Sequence, residues 1–174
     1  TPVTGTLELT PVMNWILSAD MPNFAHFNQS VLLQADCFDR AALKTALDSI
    51  AIHHDMLRAV YDGTVLQIRG INSGILYTFQ EVDVTGIVSV EEIAKMIYER
   101  GTAIQKSIDL AKGPLMKAAV FRTDTEEHLL IVIHHLCVDA VSLRILVDDF
   151  KIAYAQALRH ETVVLPEKTA SFQE

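Results

Sequence analysis

The spacing of apolar and polar positions changes period several times along the chain, and each change marks an element. Thr10-Pro11 supplies a hydroxyl N-cap followed by a proline at the first helical position, and Val12, Trp15, Ile16 and Ala19 give one apolar face of a short helix. The segment Asp20 to Asn23, with Pro22 inside it, breaks that helix. Phe27 to Ala35 mixes polar and β-prone residues and predicts a strand. Asp39 then caps a second helix, in which Leu43, Leu47, Ile50 and His54 recur at helical spacing. Two β-patterned runs between Leu57 and Ile68 are joined by Asp62-Gly63, a pair suited to positive φ at both centres of a type I′ hairpin turn. A further strand is expected between Ile75 and Val82. A third helix follows, with Ser89 and Glu92 as a capping box, Ile93, Ile97 and Ile104 on its buried face, and an interruption near Gly101.

Gly113-Pro114 punctuates the chain before a second β pair, Leu115 to Arg122 and His128 to His135, joined by the polar loop Thr123 to Glu127. The second run is almost wholly apolar, which predicts a central strand covered on both faces. From Val141 the period becomes helical: Leu143, Leu146, Val147, Phe150, Ala153, Tyr154 and Ala157 form a wide stripe, about four turns long. The residues from Val163 onward read as loop. This order of elements predicts an α+β fold, a mixed and mainly antiparallel sheet with helices packed on it. At 174 residues, half of them hydrophobic, the chain can bury one sizeable core, so a single unit spanning residues 1–174 is expected.

Charge narrows the partners. With 14 basic and 22 acidic residues the formal net charge is −8, which disfavours general nucleic-acid or anionic-membrane binding, because those need clustered Lys and Arg. No apolar run approaches the length of a membrane span, and residues 1–10 lack the features of a secretion signal. Cys37 and Cys137 lie far apart without metal-ligand spacing, so free buried thiols in a reducing, cytoplasmic setting are expected.

The chemistry concentrates in HHLCVDAVS, His134 to Ser142, where the apolar strand ends and the last helix begins. Successive side chains of a strand face opposite ways, so His134 and His135 cannot both enter one pocket. By position His135 faces a cleft and His134 is held inside by hydrogen bonds. Asp139 either caps the following helix or pairs with a buried cation. The plain alternative is that all of these are ordinary buried polar residues with satisfied partners. A metal site is disfavoured because the residues straddle a strand end and a loop with no further ligand set. A serine hydrolase is disfavoured because Ser142 lacks the G-x-S-x-G turn. His26, His53, His54, His128 and His160 carry no spacing signal of their own.

These stretches also carry a family resemblance. HHLCVDAVS resembles the HHxxxDG motif of the condensation-type domains of nonribosomal peptide synthetases. LTPVMNWI (Leu9 to Ile16), FNQSVLL (Phe27 to Leu33), HDMLRAVY (His54 to Tyr61), GPLMKAAVFR (Gly113 to Arg122) and LPEKTASF (Leu165 to Phe172) are similar to ordered segments of the epimerization branch. The resemblance implies the amino-terminal lobe of a V-shaped, two-lobed domain related to chloramphenicol acetyltransferase, the carboxy-terminal lobe being absent. It implies that a peptidyl carrier protein delivers an aminoacyl or peptidyl thioester on phosphopantetheine, with no cofactor bound directly by this chain. The implied reaction inverts Cα from L to D by removing a proton and returning it on the opposite face. The role of catalytic histidine falls on His135. His134, Asp139 and Ser142 match supporting positions, and Arg58 matches an arginine that pairs with the motif aspartate.

The isolated lobe is expected to be inactive, because the family places an opposing glutamate in the missing lobe. Three positions depart from the branch pattern: Ala140 for the motif glycine, Leu143 for a tryptophan, and Val12-Met13 for Ile-Gln. Two other uses of the scaffold remain open, amide-bond-forming condensation and a non-catalytic module that docks a carrier protein or another lobe.

Overall fold

The computed structural model describes residues 3–18 and 26–168. Its elements, in chain order, are β1 (Gly5–Leu7), α1 (Pro11–Ser18), β2 (Asn28–Ala35), α2 (Arg40–His53), β3 (Ala59–Tyr61), β4 (Leu66–Ile68), β5 (Thr78–Asp83), α3 (Val90–Lys106), β6 (Met116–Arg122), β7 (Glu127–His134) and α4 (Ala140–Leu158), with a short 3-10 helix, Asp55–Arg58, after α2. A four-stranded sheet runs β2-β7-β6-β5, antiparallel except for the β5–β6 pair. A smaller antiparallel sheet, β1-β4-β3, packs as a separate ribbon. The fold is the mixed, mainly antiparallel α+β arrangement that the patterning predicts. Among the described residues no helix is long and apolar enough to cross a membrane.

The apolar run of β7 takes the central position, and Leu129, Ile131, Val132 and Ile133 are all fully buried. Burying an aliphatic side chain of this size contributes about 1.5–3 kcal/mol. Each face of β7 has its own cover. On the Leu130 side α3 lies so close that a Cβ on Gly101 would sit 3.2 Å from Leu130 Cδ2. That residue therefore lets the helix down onto the sheet, and α3 continues through it instead of breaking. On the Glu127 side the carboxylate accepts from Phe38 N at 2.8 Å and from Arg40, tying the start of α2 to the strand. The α2 and α4 helices pack on each other, with Leu43, Leu47 and Ile50 of one and Leu146, Phe150 and Ala153 of the other buried.

The caps form as the side chains dictate. Thr10 Oγ1 accepts from Met13 N at 3.2 Å, Asp39 Oδ1 from Ala42 N at 2.7 Å, and Ser89 Oγ from Glu92 N at 3.3 Å. Each such cap stabilises its helix by about 1 kcal/mol. Three further expectations need correction. α1 buries Met13 and Ile16, leaving Val12 and Trp15 exposed, because the apolar residues ring this short helix and the core selects one side; Ala19 and the break at Asp20 to Asn23 lie outside the described residues. The β3–β4 hairpin closes through four residues, since Tyr61 pairs with Leu66. Its Asp62 Oδ1 collects Thr64 N, Thr64 Oγ1 and Val65 N, and only Gly63 has positive φ, so the turn is not type I′. Finally, Cys37 is exposed, whereas Cys137 is buried and its thiol is pushed up to about 12 by burial.

Candidate functional site

The ladder of β7 extends one residue past the strand: His134 N donates to Leu115 O at 3.0 Å and His135 N to Phe27 O at 2.9 Å. The alternation of side chains therefore holds through both histidines. His134 is fully buried, and its Nδ1 accepts from Leu136 N at 3.2 Å. A ring nitrogen that accepts carries no proton, so the neutral His134 ring bears its hydrogen on Nε2. This contact folds the chain back at the strand end, helped by Cys137 N donating to His134 O at 2.9 Å.

His135 emerges on the other face and is half-buried. Its ring stacks on Phe27 with centroids 4.6 Å apart and planes 8° from parallel. Its Nε2 lies 3.1 Å from Gln29 Nε2. Gln29 pairs with Ile133 across the strands, so Phe27, Gln29 and His135 share one face at the end of β2 and β7. The structure thus separates the two histidines as the period-2 argument requires.

Asp139 resolves its two alternatives in favour of capping. Its Oδ1 accepts from Ser142 N at 2.7 Å at the start of α4, and this hydrogen bond holds its carboxyl below the usual range. The residue is exposed, as is Ser142. Ala140 is the first helical residue of α4, and among the described residues His160 is the only non-glycine with positive φ, so this departure from glycine brings no backbone strain. Leu143 is half-buried and packs against the core.

The pairing of Arg58 with Asp139 does not form. Arg58 is 1% exposed and donates to Asp55 Oδ1 at 2.6 Å and to the carbonyls of Ala51, Ile52, Val3 and Arg69. Its position just beyond α2 explains this: the guanidinium satisfies carbonyls at the helix end that no helical N–H can reach. Asp55 also accepts from Lys168 Nζ at 2.7 Å and from Val3 N at 3.0 Å. Burial pulls the Asp55 carboxyl upward, but the hydrogen bonds from Lys168 and Arg58 outweigh it and hold it below the usual range. The arginine knits residues 3, 51–58 and 69 together instead of orienting the motif loop.

Sequence spacing missed a second polar group. His54 Nε2 donates to Asp149 Oδ2 at 2.9 Å, and Asp149 is a buried carboxylate on the inner stripe of α4. Burial lowers the affinity of His54 for a proton despite that carboxylate. His53, His54 and Asp149 bring three potential ligand atoms within 4.8 Å of one another and, among the described residues, are a group that could hold a metal ion. The signal was an aspartate at an apolar stripe position, which needs a partner from the facing helix. Gln29 was missed likewise, because nothing in FNQSVLL distinguishes it from a solvent-facing glutamine. Two surface concavities, of about 630 and 340 Å³, are lined by other residues; His135 borders neither.

Comparison with known proteins places the chain. Residues 3–174 match the family of the Condensation domain. The chain is 39% identical over 176 residues to gramicidin S synthase 1 of Brevibacillus brevis, covering 99% of this chain and 16% of that protein. It is 40% identical over 173 residues to bacitracin synthase 3 of Bacillus licheniformis, covering 99% of this chain and 3% of that protein. Among solved structures, the epimerization domain from the third module of tyrocidine synthetase B superposes with a TM-score of 0.90 at 41% identity, over 98% of this chain and 39% of the other. The starter condensation domain of the rhizomide synthetase shares the fold at a TM-score of 0.72 and 17% identity, over 93% of this chain and 40% of the other. The chain therefore spans a minor part of each relative. It belongs to the condensation-domain family of the nonribosomal peptide synthetases.

Proposed function

We propose that this chain forms one wall of an epimerization site, in which an aminoacyl or peptidyl thioester on a carrier protein's phosphopantetheine is inverted from L to D at Cα. The observation that carries this reading is the 41% identity and 0.90 TM-score with an epimerization domain, against 17% identity and 0.72 with a starter condensation domain. In this reading His135 is the acid/base residue, His134, Asp139 and Ser142 keep the strand end and helix start in place, and Arg58 supports the scaffold beyond α2. An imidazole ordinarily titrates near 6.5, so it can take and return a proton close to neutrality. The proton leaves Cα for the ring, and the electron pair of the C–H bond is left on an enolate. Return on the opposite face needs a second group, which this reading assigns to a complementary lobe outside this chain. Val141 and Ile145, 69% and 52% exposed on the first turns of α4 beside the motif loop, are apolar surface that such a lobe would cover.

The test joins the chain to a second lobe and presents an L-aminoacyl carrier protein. Formation of the D-thioester, lost on His135→Ala, is the expected result; undiminished D-thioester in that variant would overturn the role of His135. Amide-bond formation is the second reading, favoured by the match to the condensation family as a whole and by Leu143 at the tryptophan position. A new dipeptidyl thioester without deuterium uptake at Cα would establish it. Binding of carrier protein with neither product would leave a docking module.

A further inference from the structure

Gln29 reaches His135 from the neighbouring strand, and the chemistry of its amide restricts the state of the ring. A carboxamide nitrogen only donates, so the 3.1 Å contact requires His135 Nε2 to accept with its lone pair. The proton of the neutral ring is then on Nδ1. Stacking on Phe27, at 4.6 Å and 8°, fixes the ring plane, and a half-turn within that plane would bring the Cε1–H group, not the other nitrogen, to Gln29. The amide orientation also has an independent reason. Gln29 Oε1 is buried without a hydrogen-bond partner. Rotating the amide would bury an NH2 group in that place, and an unpaired buried donor is the rarer and costlier defect.

We propose that Gln29 is a positioning residue that fixes His135 as the Nδ1–H tautomer and so makes Nε2 its basic nitrogen. The tautomer follows from the geometry alone; its importance for turnover rests on the epimerization reading above. In proton removal the Cα hydrogen bonds to Nε2 and its electron pair stays with the enolate. The amide N–H occupies that lone pair before the thioester arrives and has to release it then. Gln29 therefore holds the base in its unprotonated form at the nitrogen where the proton will land.

The test is long-range proton–nitrogen NMR of the full chain carrying 15N-histidine, at neutral pH, with the His135 signals identified by their loss in His135→Gln. The expected spectrum shows the proton on Nδ1. Gln29→Glu should transfer it to Nε2, because a carboxylate can only accept, and Gln29→Met should abolish the preference. A proton on Nε2 in the parent chain would overturn the proposal. So would a tautomer indifferent to both substitutions, in variants whose circular dichroism and thermal unfolding match the parent. Within a two-lobed domain, Gln29→Glu should lower kcat at least about tenfold with KM unchanged. If the tautomer responds but exchange at Cα ignores His135→Ala, the epimerization reading fails and the Gln29 assignment stands.

Discussion

The chain contains two His-His pairs, and they do different work because they end different elements. His53 and His54 close α2, where the rings meet edge to face at 5.1 Å and the second one reaches across to Asp149 of α4. His134 and His135 close β7, where the period of two sends one ring into the core and the other out beside Gln29. In the helix-end pair the polar contact serves packing between two helices. In the strand-end pair one ring packs into the core and its neighbour carries the proposed chemistry. The same dipeptide therefore splits between core and surface only where the backbone holds one ring in the core and leaves the other partly open.

The largest expected effect attacks the support of the helix-end pair. Arg58→Met removes donors to four carbonyls and leaves Asp55 with Lys168 and Val3 alone, so unfolding free energy should fall by about 3 kcal/mol or more, measured by urea titration. Next comes the contrast inside the strand-end pair. His134→Ala opens a cavity and strands Leu136 N–H, which should cost about 2–4 kcal/mol, whereas His135→Ala should cost less than about 1 kcal/mol. Equal losses would remove the division of labour. His54→Ala leaves the buried Asp149 carboxylate unpaired and should cost about 1–3 kcal/mol without altering the His135 NMR signals.

Asp139→Ala removes only a cap, so about 1 kcal/mol is expected in the same titration. The smallest effect is one of pH. Burial depresses the proton affinity of His54 in the folded chain below its ordinary 6.5, with Asp149 opposing and His53 and Lys168 assisting. Below that value the unfolded chain binds a proton that the fold excludes, so stability falls on going from neutral to acid and is level above it. The melting temperature should drop between pH 7.5 and 5.5, and less so in His54→Gln.

Local rules made most of this legible. The apolar run of β7, the caps at Thr10, Asp39 and Ser89, and the opposite facing of His134 and His135 all follow from side-chain period or from short-range hydrogen bonds, and the structure repeats them. What escaped was decided at long range or by competition. The strand β1 is three residues long and exists through its pairing with β4. Asp62 made its own turn with its side chain instead of adopting positive φ. Arg58 was drawn to the carbonyls at the end of α2 and to Asp55, and no spacing rule says which of two aspartates an arginine will meet. Gln29 became significant only once the sheet register set it beside His135.

The central claim is that the outward histidine of the strand-end pair moves the Cα proton while the other three histidines of the two pairs do not. The most direct measurement is deuterium wash-in from D2O at Cα of a carrier-bound L-aminoacyl thioester, using the chain joined to a second lobe. Wash-in that is lost in His135→Ala and kept in a folded His54→Gln is the predicted result. Wash-in of equal rate in the parent and in His135→Ala would contradict it.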